Sequence, residues 1–301
     1  MLAIIIPYYN LLFFDQTLQS LANQTDKRFK VYIGNDASFE DCSVLLEKYK
    51  LKINFEYQRF ENNLGGIQLE KHWERCIEMC KNEKWVAILG DDDCVDSNYI
   101  EQFYKNIDIV EQHKIQVIRY ATQIINEKSQ PVNKIIYKHE VVENSCDFLI
   151  KKFTQKSRSS LSELIFLKET LNEIKFKNFP LAWHTDDLAF LEVSNFQSLF
   201  SINDSVVSIR VSNTSITGIQ TNRLLKSKAT FEFCTLLLTK YKTKFSTSQK
   251  EIITSKFEKA FIDSPSKIVF LKVLYFKIKY ANFLSIFKFI YRGMRGLIQK
   301  K

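Results

Sequence analysis

Glycine and proline are scarce, 7 and 4 in 301 residues, which excludes collagen-like repeats and leaves little material for flexible linkers. Extensive disorder is excluded as well, because hydrophobic residues make up 45% of the chain and charged residues 26%, enough for a substantial core. The six cysteines (Cys42, Cys76, Cys80, Cys94, Cys146, Cys234) form no disulfide framework for a chain of this length. Cys76 and Cys80 lie one helical turn apart, but no second pair completes a tetrahedral zinc site. They read as thiols of a reducing compartment. Long hydrophobic runs are also missing: the best stretch, 268–291, is interrupted by Lys272, Lys277, Lys279 and Lys288 and does not span a bilayer. The opening Met1-Leu-Ala-Ile-Ile-Ile-Pro7 lacks the basic flank and full apolar region of a signal peptide and reads as a buried strand.

What charge there is lies unevenly. The formal net charge is +9, yet from Lys226 onward there are 17 Lys or Arg against 4 Asp or Glu. The rest of the chain is therefore mildly acidic. A basic tail of this kind predicts contact with something anionic, such as lipid headgroups or a lipid-linked phosphate; lysines that merely solubilise a helical tail are the plainer alternative. The basic residues form no recognised nucleic-acid module, so no nucleic-acid partner is expected.

Periodicity divides the chain. Short β-branched runs at 2–6, 29–33, 53–58 and 85–89 alternate with helical patterns at 13–22, 41–49 and 69–81. That alternation predicts an α/β fold, a mostly parallel sheet with helices on both faces. Farther on, 117–125, 135–137 and 205–211 read as strands, and 146–153 and 188–193 as helices. After Thr221 the pattern turns helical, clearest at 231–241 and 250–261, with Ser264-Pro265 opening a last helical stretch.

Polar clusters fall where the early strands end, and in such sheets ligands bind beyond the carboxyl ends of the strands. Pro7-Tyr8-Tyr9-Asn10 follows the first strand, Asn35-Asp36-Ala37-Ser38 the second, and Asp91-Asp92-Asp93 the fourth. Three adjacent carboxylates repel one another, and a divalent cation relieves that repulsion; hard oxygen ligands favour Mg2+ or Mn2+, held by one or two carboxylates together with substrate phosphates. Gly90 beside them lets a ligand approach closely. Asp36 can accept from the ring N–H of a uracil-type base or from a ribose hydroxyl; a simple Asx-turn is the alternative.

Taken together, Ile4-Ile-Ile-Pro-Tyr-Tyr-Asn10, Asn35-Asp36-Ala37-Ser38, Asn63-Leu64-Gly65 and Ile88-Leu-Gly-Asp-Asp-Asp93 resemble, in order and spacing, the family 2 glycosyltransferases of the kind that build bacterial surface polysaccharides. The resemblance covers about the first hundred residues. It implies the GT-A nucleotide-sugar-binding fold, with a mostly parallel central sheet flanked by helices and, here, a basic helical C-terminal region. It further implies a donor site containing Pro7, Tyr8, Asn10, Asn35, Asp36, Asn63, Gly65 and Asp91, and a metal held by Asp92, Asp93 and Asp91 that bridges the diphosphate. The sequence departs from the family pattern in three places. Asn35 replaces the first acid of the base-binding pair, Gly90 stands at the leading aspartate of the usual Asp-x-Asp-Asp pattern, and Lys71-His72 occupies the place of a common Arg-Asn pair. The second departure makes Asp92 the foremost metal ligand.

The second half of the family signature is matched by His184-Thr185-Asp186-Asp187, an acidic pair opening a helix. The resemblance implies Asp187 as the general base, with Asp186 next in line, and Trp183 and His184 beside the acceptor; an acidic helix cap, a core tryptophan and an ordinary hydrogen-bonded histidine are the alternatives. Arg210 is the expected clamp on the departing diphosphate, or else a surface arginine. The expected enzyme is thus a metal-dependent, inverting hexosyltransferase taking a nucleotide-sugar donor to a glycan or lipid-linked acceptor. It would work in the cytoplasm, against the anionic inner face of the plasma membrane. Residues 1–222 are the expected transferase domain (1–100 the nucleotide half, 101–222 the acceptor half), followed by the helical basic region 223–301. The competing readings are a nucleotidyltransferase, which would be expected to carry a Gly-rich phosphate loop that 7–15 lacks, and a non-catalytic sugar-binding or membrane-associated protein of the same fold.

Overall fold

The computed structural model describes residues 1–212, 218, 221–263 and 266–298; Ser264 and Pro265, expected to open the last helical stretch, lie outside them. The chain begins as a strand–helix alternation: β1 (Leu2–Tyr8), α1 (Phe14–Ala22), β2 (Phe29–Asn35), α2 (Ser43–Tyr49), β3 (Phe55–Arg59), α3 (Leu69–Ile77) and β4 (Trp85–Ile88). After the acidic triplet come β5 (Cys94–Val95), α4 (Tyr99–Gln112), β6 (Val117–Ile125), β7 (Pro131–Tyr137), β8 (Val142–Asn144) and α5 (Ser145–Phe153). Then follow β9 (Leu164–Leu167), α6 (Lys168–Ile174), α7 (Thr185–Val193) and β10 (Ser198–Arg210). Four helices end the chain: α8 (Arg223–Thr239), α9 (Thr247–Asp263), α10 (Lys267–Tyr280) and α11 (Phe283–Ile298).

One sheet runs in the order β3-β2-β1-β4-β9-β6-β10-β5, with β7 on β6 and β8 on β10. The expected parallel pairing holds for β3-β2-β1-β4 and for β6-β10. Strand β9 enters antiparallel to both β4 and β6, so the acceptor half is mixed. Strand β9 is reached from β6 by way of β7, β8, α5 and the turn at 161–163, and it returns down the sheet between two strands that run up it.

Side-chain alternation along the strands builds the two cores. Leu2, Ile4 and Ile6 of β1 face one side with Phe14, Leu18 and Leu21 of α1 and Ile100 and Phe103 of α4. Ala3 and Ile5 face the other, against Trp73 and Ile77 of α3 and Leu188 and Leu191 of α7. That second core extends without a break into Phe233 and Leu237 of α8, Phe257 and Phe261 of α9, Phe276 of α10 and Phe289 of α11. The C-terminal helices are thus packed against the sheet-bearing part. Each fully buried Phe contributes roughly 1.5–3 kcal/mol. No helix among the described residues is long and apolar enough to cross a membrane.

Candidate functional site

Because β1, β2 and β4 are parallel neighbours, their carboxyl ends open on one edge, with Tyr8 in register with Asn35 and Asn35 with Arg59. Two adjoining hollows lie there and share Pro7, Tyr9 and Leu69 as common walls. The first is formed by Asp36, Ala37, Phe39, Arg59 and the 61–66 loop, the second by Asn10, Phe13, Trp73, Gly90, the acidic triplet, Ser162 and Arg210.

The first hollow is held by Asp36. Its carboxylate accepts from the backbone N–H of Leu64 at 2.8 Å and of Gly65 at 2.7 Å, and it is paired to Arg75. His72 lies 3.4 Å away; burial pushes it down to about 4 despite the pull of Asp36, so it is neutral at pH 7. A Cβ at Gly65 would stand 2.6 Å from the Asp36 oxygen, which is why this loop needs glycine. Asp36 therefore fastens the Asn63-Leu64-Gly65 loop to the end of β2. Phe39 is 97% exposed and Tyr9 46% exposed at the rim.

In the second hollow the three aspartates have different surroundings. Asp91 Oδ2 accepts from the N–H of Tyr9 at 2.8 Å and of Asn10 at 2.7 Å, tying the end of β1 to the triplet. Asp93 accepts from the Ser162 hydroxyl at 2.5 Å and from the Arg210 N–H at 2.8 Å. Asp92, among the described residues, receives no hydrogen bond from any other residue to its carboxylate. Burial, followed by the charges of Asp93 and Asp91, pushes Asp92 up to about 8; burial likewise raises Asp91 to about 6 and Asp93 above its ordinary value. A Cβ at Gly90 would come within 2.9 Å of Asp92 Oδ1, so glycine leaves that oxygen its space.

These donors decide how a divalent cation fits. Among the described residues no three of His, Cys, Asp or Glu are gathered as a ready-made cage, so the expected three-aspartate ligand set does not form by itself. The oxygens of Asp93 and one oxygen of Asp91 already serve the fold. The arrangement does fit a hard cation that takes Asp92 and borrows further oxygens from a diphosphate.

Arg210, at the end of β10, is nearly sealed. Its Nε donates to the Asp92 carbonyl at 2.8 Å, Nη1 to the Asn126 carbonyl at 2.7 Å, and Nη2 to Gln16 Oε1 at 2.6 Å and Ser129 Oγ at 3.2 Å, while the guanidinium lies over the Phe13 ring. With its donors directed inward, it braces the triplet; in this arrangement it does not present a fork to a phosphate as the clamp expected from sequence would.

The acidic pair forms a second cluster. The turn leading to α7 holds Leu181, Ala182 and His184 at positive φ (60°, 51° and 73°), a conformation costing about 1–3 kcal/mol per residue and common at functional turns. Asp187 is fully buried, with one oxygen 2.5 Å from Lys152 Nζ and the other 2.7 Å from His184 Nδ1. Burial alone would raise this carboxyl, but Lys152 and His184 hold it well below the usual carboxylate range. Asp186 is only partly covered, and burial raises it to about 6 against the pull of Lys152. His184 itself is buried, stacked on Phe233 with ring centroids 4.7 Å apart, and its Nε2 lies 3.0 Å from the Thr230 hydroxyl. The turn at 160–163 joins the two clusters: Ser162 bonds Asp93, while the next residue, buried Glu163, acts electrostatically on Lys152.

A model of glycosyl transferase family 2 matches residues 3–162, just over half of the chain. The chain belongs to glycosyl transferase family 2. It is a glycosyltransferase, and the structures it is similar to share its architecture. Against S. aureus TarS 1-349 in complex with UDP-GlcNAc it is 17% identical over 90% of this chain and 76% of that chain, with a TM-score of 0.66. Against S. aureus TarS 1-349 in complex with UDP it is 16% identical over 93% of this chain and 88% of that one, with a TM-score of 0.56. At such identities the likeness shows the fold, the GT-A arrangement. No curated protein matches the sequence.

Within this glycosyltransferase, Pro7, Asn10, Asp36, Asn63, Gly65, Asp91, Asp92, Asp93 and Arg210 all line the paired hollows. Tyr8 and Asn35 do not. The Tyr8 ring is buried and its hydroxyl donates to the Glu40 carbonyl; Asn35 donates to the Tyr57 hydroxyl and accepts from the Ser38 N–H. Sequence reasoning passed over Tyr9, Phe39, Arg59, Trp73 and Ser162. Tyr9 was findable, since alternation along β1 turns Tyr8 inward and leaves its neighbour outside. Ser162 was not, because only the long-range pairing of β9 with β4 brings it to the triplet. Trp183 lies on a separate basic hollow with Lys226 and Lys256.

Proposed function

We propose that this glycosyltransferase is metal-dependent and inverting. In this reading it moves a sugar from a nucleotide-sugar donor, with UDP-sugars favoured, to a hydroxyl of a glycan or lipid-linked acceptor in cell-surface polysaccharide synthesis. The observation that carries the reading is the crowding of three raised-pKa carboxylates in the hollow that adjoins that of Asp36, where the Asp92 carboxylate receives no hydrogen bond from another described residue. The UDP and UDP-GlcNAc of the TarS complexes support a uridine nucleotide. In this reading the base lies between Tyr9 and Phe39, over Asp36 and the 62–66 loop, and the diphosphate runs towards the triplet. Asp92, with Asp91 beside it, would hold Mn2+ or Mg2+, which supplies Lewis-acid neutralisation of the leaving diphosphate.

The base comes from the acidic pair. Sequence resemblance favours Asp187, but its oxygens are committed to Lys152 and His184 and its affinity for a proton is low. Asp186 is partly open and has the proton affinity a general base needs near neutrality. We therefore assign the base role to Asp186, with Asp187 holding the α7 turn in place. Residues 1–222 then form the transferase unit, and 223–301 the basic helical region that completes its acceptor side. The direct test is thermal stabilisation by a panel of nucleotide sugars with and without Mn2+. A rise in Tm with a UDP-sugar and Mn2+ is expected; no shift with any donor under either condition refutes the reading.

Peripheral membrane contact belongs to the same proposal. Ile268, Leu271, Tyr275 and Ile278 on α10, and Phe283, Leu284, Phe287 and Tyr291 on α11, are exposed at helical spacing, next to exposed Lys272, Lys279, Lys288 and Arg292. Apolar stripes flanked by cations suit an anionic lipid surface.

A further inference from the structure

Beside the acidic pair, between α8 and α9, is a hollow that the donor site does not use. It is lined by Arg223, Lys226, Ser227 and Thr230 from α8, by Lys256, Lys259 and Asp263 from α9, and by the Trp183 ring. Four cations thus face one carboxylate, and that carboxylate is already paired to Arg223. Among the described residues no acid lies within ion-pair distance of Lys256 or Lys259. Lys256 is half-buried over Phe153, and Lys226 sits over the Trp183 ring at 4.9 Å. Gathering like charges in a partly enclosed space is unfavourable unless an anion joins them. Ser227 adds a hydroxyl group suited to a phosphate oxygen, and Trp183 offers the flat apolar face on which a sugar ring rests.

The hollow is wired to the acidic pair. The Thr230 hydroxyl in its wall donates to the Lys226 carbonyl at 2.8 Å and lies 3.0 Å from His184 Nε2, and His184 Nδ1 lies 2.7 Å from Asp187. An anion here therefore stands one histidine away from Asp187, the sequence neighbour of the proposed base Asp186. The acidic triplet belongs to the other hollow, so this is not the seat of the donor diphosphate.

We propose that the hollow between α8 and α9 binds a phosphate group carried by the acceptor, with Trp183 against the adjoining sugar or polyol. The inference rests on the transfer reading above and narrows its acceptor to a phosphorylated one. Two sources share that chemistry: a soluble phosphodiester-linked glycan, and the diphosphate of a lipid-linked sugar.

The test uses the full chain and steady-state kinetics with each acceptor class separately: a glycerol-phosphate oligomer in solution, and an isoprenyl-diphosphate-linked sugar in neutral vesicles. In the double substitution Lys226→Gln, Lys259→Gln the KM for one of the two acceptors rises at least tenfold, while the donor KM stays within twofold. The acceptor that responds identifies the source. Lys256→Gln raises the same KM, and Lys256→Arg restores it, which a purely structural role for the ammonium would not do. Pyrophosphate titrated in the presence of saturating UDP should change tryptophan fluorescence in the wild type and not in Trp183→Phe. If transfer proceeds with either acceptor and its KM is indifferent to these lysines, the phosphate site is refuted while the transfer reading stands. If the wild type neither binds nor turns over any nucleotide sugar, the transfer reading itself fails.

Discussion

Asp92 carries the sharpest consequence of the acidic triplet. Its folded-state pKa of about 8 lies above the ordinary 3.8, so the folded protein holds its proton more tightly than the unfolded chain does. Stability from this group is complete below pH 4 and is lost as the pH rises towards 8. Asp92→Asn removes that loss: the variant should have a higher Tm than wild type in the absence of metal, and the gap should be wider at pH 8 than at pH 5 in scanning calorimetry. Transfer should at the same time fall by about 100-fold or more, on the scale of losing a group that stabilises a leaving anion. The acidic pair makes the opposite kind of prediction. Asp187→Asn leaves half-buried Lys152 without the buried carboxylate it pairs with and should cost about 3 kcal/mol or more of stability, read by chemical denaturation. Asp186→Asn should leave the fold intact and reduce kcat by about 100-fold or more. Because the base must be ionised and Asp186 sits at about 6, the wild-type rate should decline about tenfold per unit as the pH falls below 6.

Among the elements, the loop after β3 shows how closely the fold and the site are joined. Gly65→Ala places a methyl against the Asp36 oxygen that accepts from the Gly65 N–H, on a carboxylate whose other oxygen is held by Leu64 and Arg75; the donor KM should rise several-fold with little change in kcat. The parallel half of the sheet was legible because buried parallel strands read as continuous apolar runs closed by polar residues, as in Leu2–Tyr8 and Phe29–Asn35. Strand β9 was not legible. Four apolar residues, Leu164–Leu167, fit a strand or a buried helix turn equally, and its place between β4 and β6 depends on contacts far apart in sequence. Helix α4 carried a readable signal in Ile100, Phe103, Ile107 and Val110, at helical spacing. The roles within the site were the least legible part: an Asp committed to backbone N–H groups and an Asp open to a ligand look identical as letters.

At the scale of the whole molecule, the basic region and the sheet-bearing part share one core. Removing everything after Thr221 would uncover Phe153 of α5, Phe179 and His184, all of which meet Phe233, and the truncated chain should aggregate or lose its cooperative transition. Membrane binding is better tested on the surface. Phe283→Ser with Phe287→Ser should weaken flotation with anionic vesicles while leaving Tm within a few degrees, since both side chains are exposed. The proposed donor site lies in the groove beyond β1, β2 and β4, and calorimetric titration of UDP into the 301-residue chain tests it most directly. Binding is expected with Mn2+ present, at least tenfold weaker without it, and lost in Asp92→Asn. UDP binding of equal strength with and without metal, or no binding under either condition, would contradict it.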